Sequence, residues 1–168
     1  VFNTFKNNRI IIFDKLTYAG KKFYIKELLK SSRVKFVKGD INNYNSYQKL
    51  LKTTDLAINL AAETHVDNSF MNPISFSLTN AVGTHTFLLN CINNNVKKIV
   101  HISSDEVYGE KLAGKCKETQ KINPTNPYSA SKAAAEIIIN SHKYAYKKEI
   151  VTVRGNNVYG IRQYPEKL

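Results

Sequence analysis

Short apolar runs alternate along the chain with longer stretches in which apolar residues recur at helical spacing, and this rhythm sets the expected fold. Arg9 to Phe13 (RIIIF) is apolar and β-branched, ends on Asp14, and predicts a strand buried on both faces. A loop over 15–20 follows, then a weak helical pattern over 21–30 with Phe23, Leu28 and Leu29 among lysines. A second strand over 34–37 closes on Gly39-Asp40. Residues 45–52 predict a helix with Tyr47, Leu50 and Leu51 inward, and 55–60 (DLAINL) a third buried strand. Residues 72–93 open on Asn-Pro and place Phe76, Thr79, Val82, Thr86, Leu89 and Cys91 at roughly helical spacing, which predicts one long helix. The fourth strand is expected at 98–102 (KIVHI), followed by a polar loop over 103–126. A second long helix is expected at 127–146, with Ala133, Ala134, Ile137, Ile138 and Tyr144 as its buried stripe, and a fifth strand at 150–154.

Strands alternating with connections long enough for right-handed crossovers predict an α/β fold: a doubly wound parallel sheet, Rossmann-like, covered on both faces. The 168 residues fit one domain, without repeat, low-complexity tract or interdomain linker. In such sheets ligands sit beyond the carboxyl ends of the strands. That points to Asp14, Asp40, the 61–64 segment, 103–106 and 155–157, which are conspicuously polar or small.

Charge and composition narrow the classes. The net charge of +12 raises a nucleic-acid reading, but the lysines are spread along the chain rather than gathered in a tract. The expectation is therefore no nucleic-acid partner, and a basic protein also suits an anionic dinucleotide or sugar nucleotide. No apolar run approaches the ~20 residues that cross a bilayer, so no membrane partner is expected. The start, VFNTFKNN, lacks the regions of a signal peptide, and Cys91 and Cys116 have neither CxxC spacing nor the density of a disulfide scaffold. A cytoplasmic setting is expected.

Three groups of residues carry chemistry. Asp14 ends a strand where a carboxylate would bind the ribose hydroxyls of a dinucleotide, although Asp after a strand is more often a turn or cap residue. Tyr128 and Lys132 are four apart at a helix start, on one face, where the ammonium can lower the phenol pKa and fit the tyrosine to act as a base. Alone, that pair is more often a core Tyr with a solvated Lys. Here Pro127 suits the helix start, and the small residues at 129–131 let a flat ring or ribose approach the backbone. Ser104, Asp105 and Glu106 place a hydroxyl and two adjacent carboxylates just after the fourth strand. With one acid protonated and one ionised, the pair can serve a single elimination, whereas a solvated acidic turn is the plainer reading in isolation. Glu63, His65 and Asp67 are set aside as a metal site, because the histidines at 65, 85, 101 and 142 show no ligand spacing. Cys91 lies on an apolar stripe, and no GxSxG elbow is present.

Taken together, the segments FDKLTYAG (13–20), GDI (39–41), LAAETHVDNS (60–69), TN-x-x-GT (79–84), HISSDEVYG (101–109), NPYSASKAAAE (126–136) and NNVYG with YPEKL (156–168) resemble the extended short-chain dehydrogenase/reductases. Within them the similarity is to the dTDP-glucose 4,6-dehydratases. Related 4-epimerases carry the Tyr and Lys but not the Asp-Glu pair, since reversible hydride transfer needs no acid and base to remove water. The resemblance implies Tyr128, Lys132, Asp105, Glu106 and Ser104 as catalytic residues, with Ser104 where the family usually has Thr. It implies an NAD site lined by Asp14, Lys15, Leu16, Thr17, Asp40, Ile41, Leu60, Ala61, Ala62, Glu63, Thr79, Tyr128 and Lys132. The nucleoside-diphosphate-glucose substrate would meet Thr64, Ser104, Asn157, Lys167 and Leu168. The segment RGNNVYG looks at least as much like the UDP-glucose 4,6-dehydratases, which leaves uridine and thymidine both open. The resemblance further implies a homodimer through the two long helices. It also leads us to expect that 1–168 is a partial NAD-binding domain lacking the first strand, the glycine-rich loop and the C-terminal substrate domain, inactive by itself.

Overall fold

The computed structural model describes residues 3–4, 6–111 and 114–164. Five parallel strands form: β1 (Ile10–Asp14), β2 (Val34–Lys38), β3 (Leu56–Asn59), β4 (Lys98–Ser104) and β5 (Glu149–Gly155). They make two sheets, β1-β2 and β3-β4-β5. In the doubly wound strand order these are the two halves that flank the first strand. Among the described residues no strand bridges β1 and β3.

Helices connect the strands. Between β2 and β3 runs α1 (Tyr44–Leu51), with Tyr47 and Leu51 buried as expected. Between β3 and β4 lie α2 (Val66–Met71), α3 (Pro73–Phe76), a π-helical stretch (Ser77–Val82) and α4 (Gly83–Asn93). The long helix expected over 72–93 is thus interrupted by a π segment, and α2 lies in a stretch for which no element was expected. Between β4 and β5 runs α5 (Pro127–Tyr146), opened by Pro127 in its first turn and by an Asn126 capping box with Ser129. The helix expected over 21–30 is instead two short 3₁₀ turns, Lys22–Ile25 and Leu28–Lys30, neither with a buried residue. Phe23 is 66% exposed, so that stretch has no apolar face to hold a helix against.

Right-handed crossovers explain which face is covered. The chain moves in one direction from β3 to β4 to β5, so α4 and α5 fall on the same face, where they pack together, and α1 packs beside α4. Register puts Ala57, Ile99 and Ile150 in one row across the sheet, and all three are buried. With Leu88, Cys91, Val96 and Ile139 they form the core under the helices. The next row, Ile58, Val100 and Val151, points to the other face. There Leu56 is 49%, Ile58 39% and Val151 48% exposed. The expectation of strands buried on both faces is therefore corrected for β3 and β5: among the described residues the helices cover one face only.

The α5 stripe also needs correction. Its buried residues are Ser129, Ser131, Lys132, Ala133, Ala135, Glu136 and Ile139. Ile137 and Tyr144, expected inward, are 61% and 90% exposed. Val82, expected inward on the preceding helix, is likewise exposed.

Candidate functional site

The parallel strands bring their carboxyl ends to one edge, and each end is shaped by a local polar contact. After β1, the Asp14 carboxylate accepts from the Leu16 N–H at 2.6 Å, which folds the chain back through a positive φ of 57° at Leu16. Lys15 then reaches across to Asp40 after β2, at 2.7 Å. Burial alone would raise the Asp40 carboxyl, but Lys15 and the Asn42 N–H at 2.9 Å overcome it and hold it low. Thr17 lies in the exposed turn before Gly20. Ile41 is buried against Gly83, where a Cβ would come within 2.7 Å of Ile41 Cγ2; the glycine permits that approach.

The segment after β3 is pinned from two sides. Asn59 Oδ1 accepts from the Ala61 N–H at 3.2 Å, and Asn59 Nδ2 donates to Thr84 Oγ1 at 3.1 Å. From the π-helical stretch, the buried Asn80 side chain accepts from the Glu63 N–H at 2.8 Å and donates to the Glu63 carbonyl at 2.9 Å. Asn80 Nδ2 also donates to Ser131 Oγ at 2.9 Å. Leu60, Ala61, Ala62, Glu63 and Thr64 are thereby presented at the sheet edge, with Thr79 half-buried beside Asn80. Sequence reasoning missed Asn80 and Asn59 as positioning groups. The signal was polar residues at places where the strand and helix patterns demand burial.

At the end of β4, Ser104 starts a 3₁₀ turn over Asp105–Tyr108: its hydroxyl oxygen accepts from the Glu106 N–H at 3.2 Å. The same hydroxyl lies 3.4 Å from an Asp105 carboxylate oxygen, to which it donates. Gly109 leaves the turn at φ 79°, and a Cβ there would meet the Asn123 carbonyl oxygen at 2.2 Å. Asn123 N–H in turn donates to the Val107 carbonyl at 2.9 Å, which fixes the returning loop. From α5, Asn126 Nδ2 donates to Glu106 Oε2 at 3.3 Å.

Tyr128 stands on the first turn of α5 with its ring edge-on to Phe76, centroids 6.3 Å apart. Its phenol is raised above the ordinary range, first by burial, then by the Glu106 and Asp105 charges, while the Ser104 hydroxyl works against them. Lys132 does not act on it as expected. The ammonium is buried, donates to the Ile102 carbonyl at 2.7 Å, and is pushed down to about 8 by that burial, against the pull of Glu136. The expected lowering of the tyrosine by the lysine is thus corrected. In this arrangement the lysine is tied to the backbone of β4 and the tyrosine is governed by desolvation and the acid pair.

A further network lies directly behind the site. Glu136, one turn beyond Lys132 and 3% exposed, accepts from Ser103 Oγ at 2.5 Å and from Arg154 Nη2 at 2.6 Å. Arg154 lies 4.7 Å over the Tyr108 ring and donates to the Glu118 carbonyl at 3.2 Å. This clamp was not foreseen, since Glu136 reads in the sequence as a surface position.

Ser104, Asp105, Glu106, Tyr128 and Lys132 are thus gathered around the end of β4, as expected. Asn157 lies in the exposed segment after β5, where its N–H donates to Asn156 Oδ1 at 2.6 Å. Lys167 and Leu168 fall outside the described residues. No group of three His, Cys, Asp or Glu able to hold a metal ion occurs among the described residues.

The chain is similar to known proteins in sequence and fold. The family model for GDP-mannose 4,6 dehydratase matches residues 5–168. A dTDP-D-glucose 4,6-dehydratase of Dictyostelium discoideum is 41% identical over 98% of this chain and 41% of its own length. A trifunctional UDP-glucose 4,6-dehydratase/UDP-4-keto-6-deoxy-D-glucose 3,5-epimerase/UDP-4-keto-L-rhamnose-reductase of Arabidopsis thaliana is 40% identical over 100% of the chain and 26% of its own. Among solved structures, the dTDP-glucose 4,6-dehydratase DesIV of Streptomyces venezuelae, with NAD and TYD bound, matches with a TM-score of 0.92 and 34% identity. That match covers 95% of this chain and 49% of DesIV, so the chain spans half or less of the relatives it resembles. A family match running nearly end to end, with a closely superposable fold among solved structures, places this chain in the GDP-mannose 4,6-dehydratase family.

Proposed function

We propose that the complete protein is an NAD-dependent nucleoside-diphosphate-glucose 4,6-dehydratase that converts dTDP-glucose to the 4-keto-6-deoxy sugar nucleotide. The observation that carries this reading is the gathering of Ser104, Asp105 and Glu106 with Tyr128 at one strand end. NAD, when bound, accepts hydride from the sugar C4 and returns it to C6. The edge residues Asp14 to Thr17, Asp40, Ile41, Leu60 to Glu63 and Thr79 fit such a group: two carboxylates and a glycine-permitted close approach lie along one rim.

In this proposal Tyr128 takes the 4-hydroxyl proton once the positive charge of NAD⁺, when bound, offsets the burial and acid-pair charges that raise its phenol, and Lys132 fixes the helix start to β4 beneath it. Ser104 hydrogen-bonds the 4-oxygen. A 4-ketone acidifies the C5 proton, Glu106 removes it, and Asp105 protonates the departing 6-hydroxyl, so one water leaves. A proton then returns to C5. Two acids held within one turn are what an elimination requires and an epimerisation does not. Thr64, Asn157, Lys167 and Leu168 are proposed to meet the sugar nucleotide.

Thymidine is favoured by the Dictyostelium and Streptomyces relatives, and uridine has the Arabidopsis relative on its side. The rhamnose-forming activities of the Arabidopsis relative also support a place in deoxysugar, rhamnose-type biosynthesis. We further propose a cytoplasmic homodimer. Both described cysteines are free thiols, and no helix of the described residues is long and apolar enough to cross a membrane. Exposed Met71, Ile74, Leu78, Val82, Ile137 and Tyr144 give the helical face an apolar surface for a second copy. Residues 1–168 are proposed as the cofactor half, inactive alone.

The test is an assay of the complete protein with NAD⁺ and either dTDP-glucose or UDP-glucose, reading the 4-keto-6-deoxy product. Product from one nucleotide supports the dehydratase and sets the base. Epimerised sugar without dehydration would overturn the roles given to Asp105 and Glu106. Asp105→Asn and Glu106→Gln are each expected to lower dehydration by at least roughly 100-fold.

A further inference from the structure

We infer that Asn126 is a positioning residue for Glu106, and that one side chain thereby sets both the start of the tyrosine helix and the aim of the neighbouring carboxylate. The two halves of its amide do separate work. The carbonyl oxygen accepts from the Ser129 N–H at 2.8 Å, closing the capping box. The amide nitrogen donates to Glu106 Oε2 at 3.3 Å. Ser129 completes the box, its hydroxyl accepting from the Asn126 N–H at 3.2 Å and donating to the Asn126 carbonyl at 3.0 Å. Tyr128 stands two residues along the same turn, so the phenol and the carboxylate are referenced to one backbone position.

The choice of residue follows from this double demand. Ser, Thr and Asp cap helices about as well as Asn. None of them also offers an N–H donor at the far end of the side chain. A cap alone does not require Asn; a cap that must also hold a carboxylate does. Among the described residues Glu106 is otherwise tied through its backbone, by N–H to Ser104 Oγ at 3.2 Å and by its carbonyl to the Gly109 N–H at 3.0 Å. A carboxylate on a flexible side chain reaches a carbon-bound proton productively only from a narrow range of positions. Asn126 supplies the second point that fixes it.

This inference rests on the reading of Glu106 as the base that removes the C5 proton, and the experiment separates the two. In the complete protein, Asn126→Asp keeps size and cap but replaces the donor by a like charge, while Asn126→Ser keeps the cap and cannot reach Glu106. Both are expected to fold with a melting temperature within roughly 2 °C of wild type, because the cap is retained. For each, kcat should fall roughly tenfold or more with KM within about twofold, as expected when a charge-assisted hydrogen bond acting in the transition state is lost. The isotope effect on kcat from substrate deuterated at C5 should rise, since the step that breaks that bond becomes slower relative to the others. An active wild type with wild-type kcat in both variants, or with slowed variants whose isotope effect is unchanged, overturns the positioning role. A wild type that forms no 4-keto-6-deoxy product overturns the dehydratase reading and the inference with it.

Discussion

The Lys132 ammonium and the His101 ring share the ground behind the acid pair, and burial decides the state of both. His101, on β4, is 1% exposed; its Nδ1 lies 3.2 Å from Asn59 Nδ2, and its Nε2 is buried with no partner among the described residues. Burial, with the Lys132 charge second, pushes the ring down to about 3 from the ordinary 6.5. The native state therefore refuses a proton that the unfolded chain accepts between those values. Stability from this residue is complete above pH 6.5 and is lost as pH falls towards 3, at up to ~1.4 kcal/mol per pH unit. Denaturant titrations at pH 7 and pH 5 should show the loss, and His101→Gln should flatten it. An equal loss in that variant would assign the acid sensitivity elsewhere. Lys132 titrates in a separate window: its depressed pKa makes the native state gain stability between about 8 and 10.5. Sequence alone located Tyr128, Lys132 and the acid pair, because their spacing and place after a strand are local facts. The electrical environment of Tyr128 was not legible, since it depends on how deeply the ring is buried and which charges the fold brings to it.

Elements are joined behind the site by the Glu136–Arg154 pair, which links α5 to the carboxyl ends of β4 and β5 and, through Tyr108 and Glu118, to the loop between them. The guanidinium is raised above its usual range chiefly by its hydrogen bonds to Glu136, so it stays charged at any ordinary pH. Removing one partner strands a buried charge. Arg154→Met is expected to destabilise the protein by about 3 kcal/mol, while the double change Arg154→Met with Glu136→Leu should recover a good part of that. Urea unfolding of the set reads both; additive losses would show that the pair acts as two independent residues. All five strands and the helices α1 and α5 were legible from periodicity. The π segment and the inward side of α5 were not. Its buried face is built from Ser129, Ser131, Lys132 and Glu136, polar residues that hydropathy places outside and specific partners pull in.

Two of the apolar surfaces left exposed among the described residues call for different coverings. The helical face carries isolated side chains: Ile74 on α3, Leu78 and Val82 on the π-helical stretch after it, and Ile137 and Tyr144 on α5, the last 90% exposed. The open face of β3-β4-β5 is a continuous row of β-branched and aliphatic residues, of which Leu56, Ile58, Val151 and Val153 are between 39% and 49% exposed. Helices from a second copy can lie along the first surface, whereas a parallel sheet takes layers from its own polypeptide on its second face. If the proposed dimer forms there, charge on the helical face should break it without disturbing the fold. In the complete protein, Leu78→Asp with Ile137→Asp is expected to sediment as a monomer with its unfolding midpoint shifted by less than a ~1 kcal/mol equivalent beyond the lost association, because both sites are exposed in one subunit. Residues 1–168 alone, carrying the same two changes, should still bind a hydrophobic dye through Ile58, Val151 and their neighbours. Loss of dye binding there would mean that the helical stripe, and not the sheet, is the larger sticky surface; a double variant that stays dimeric would remove the helical face from the interface altogether.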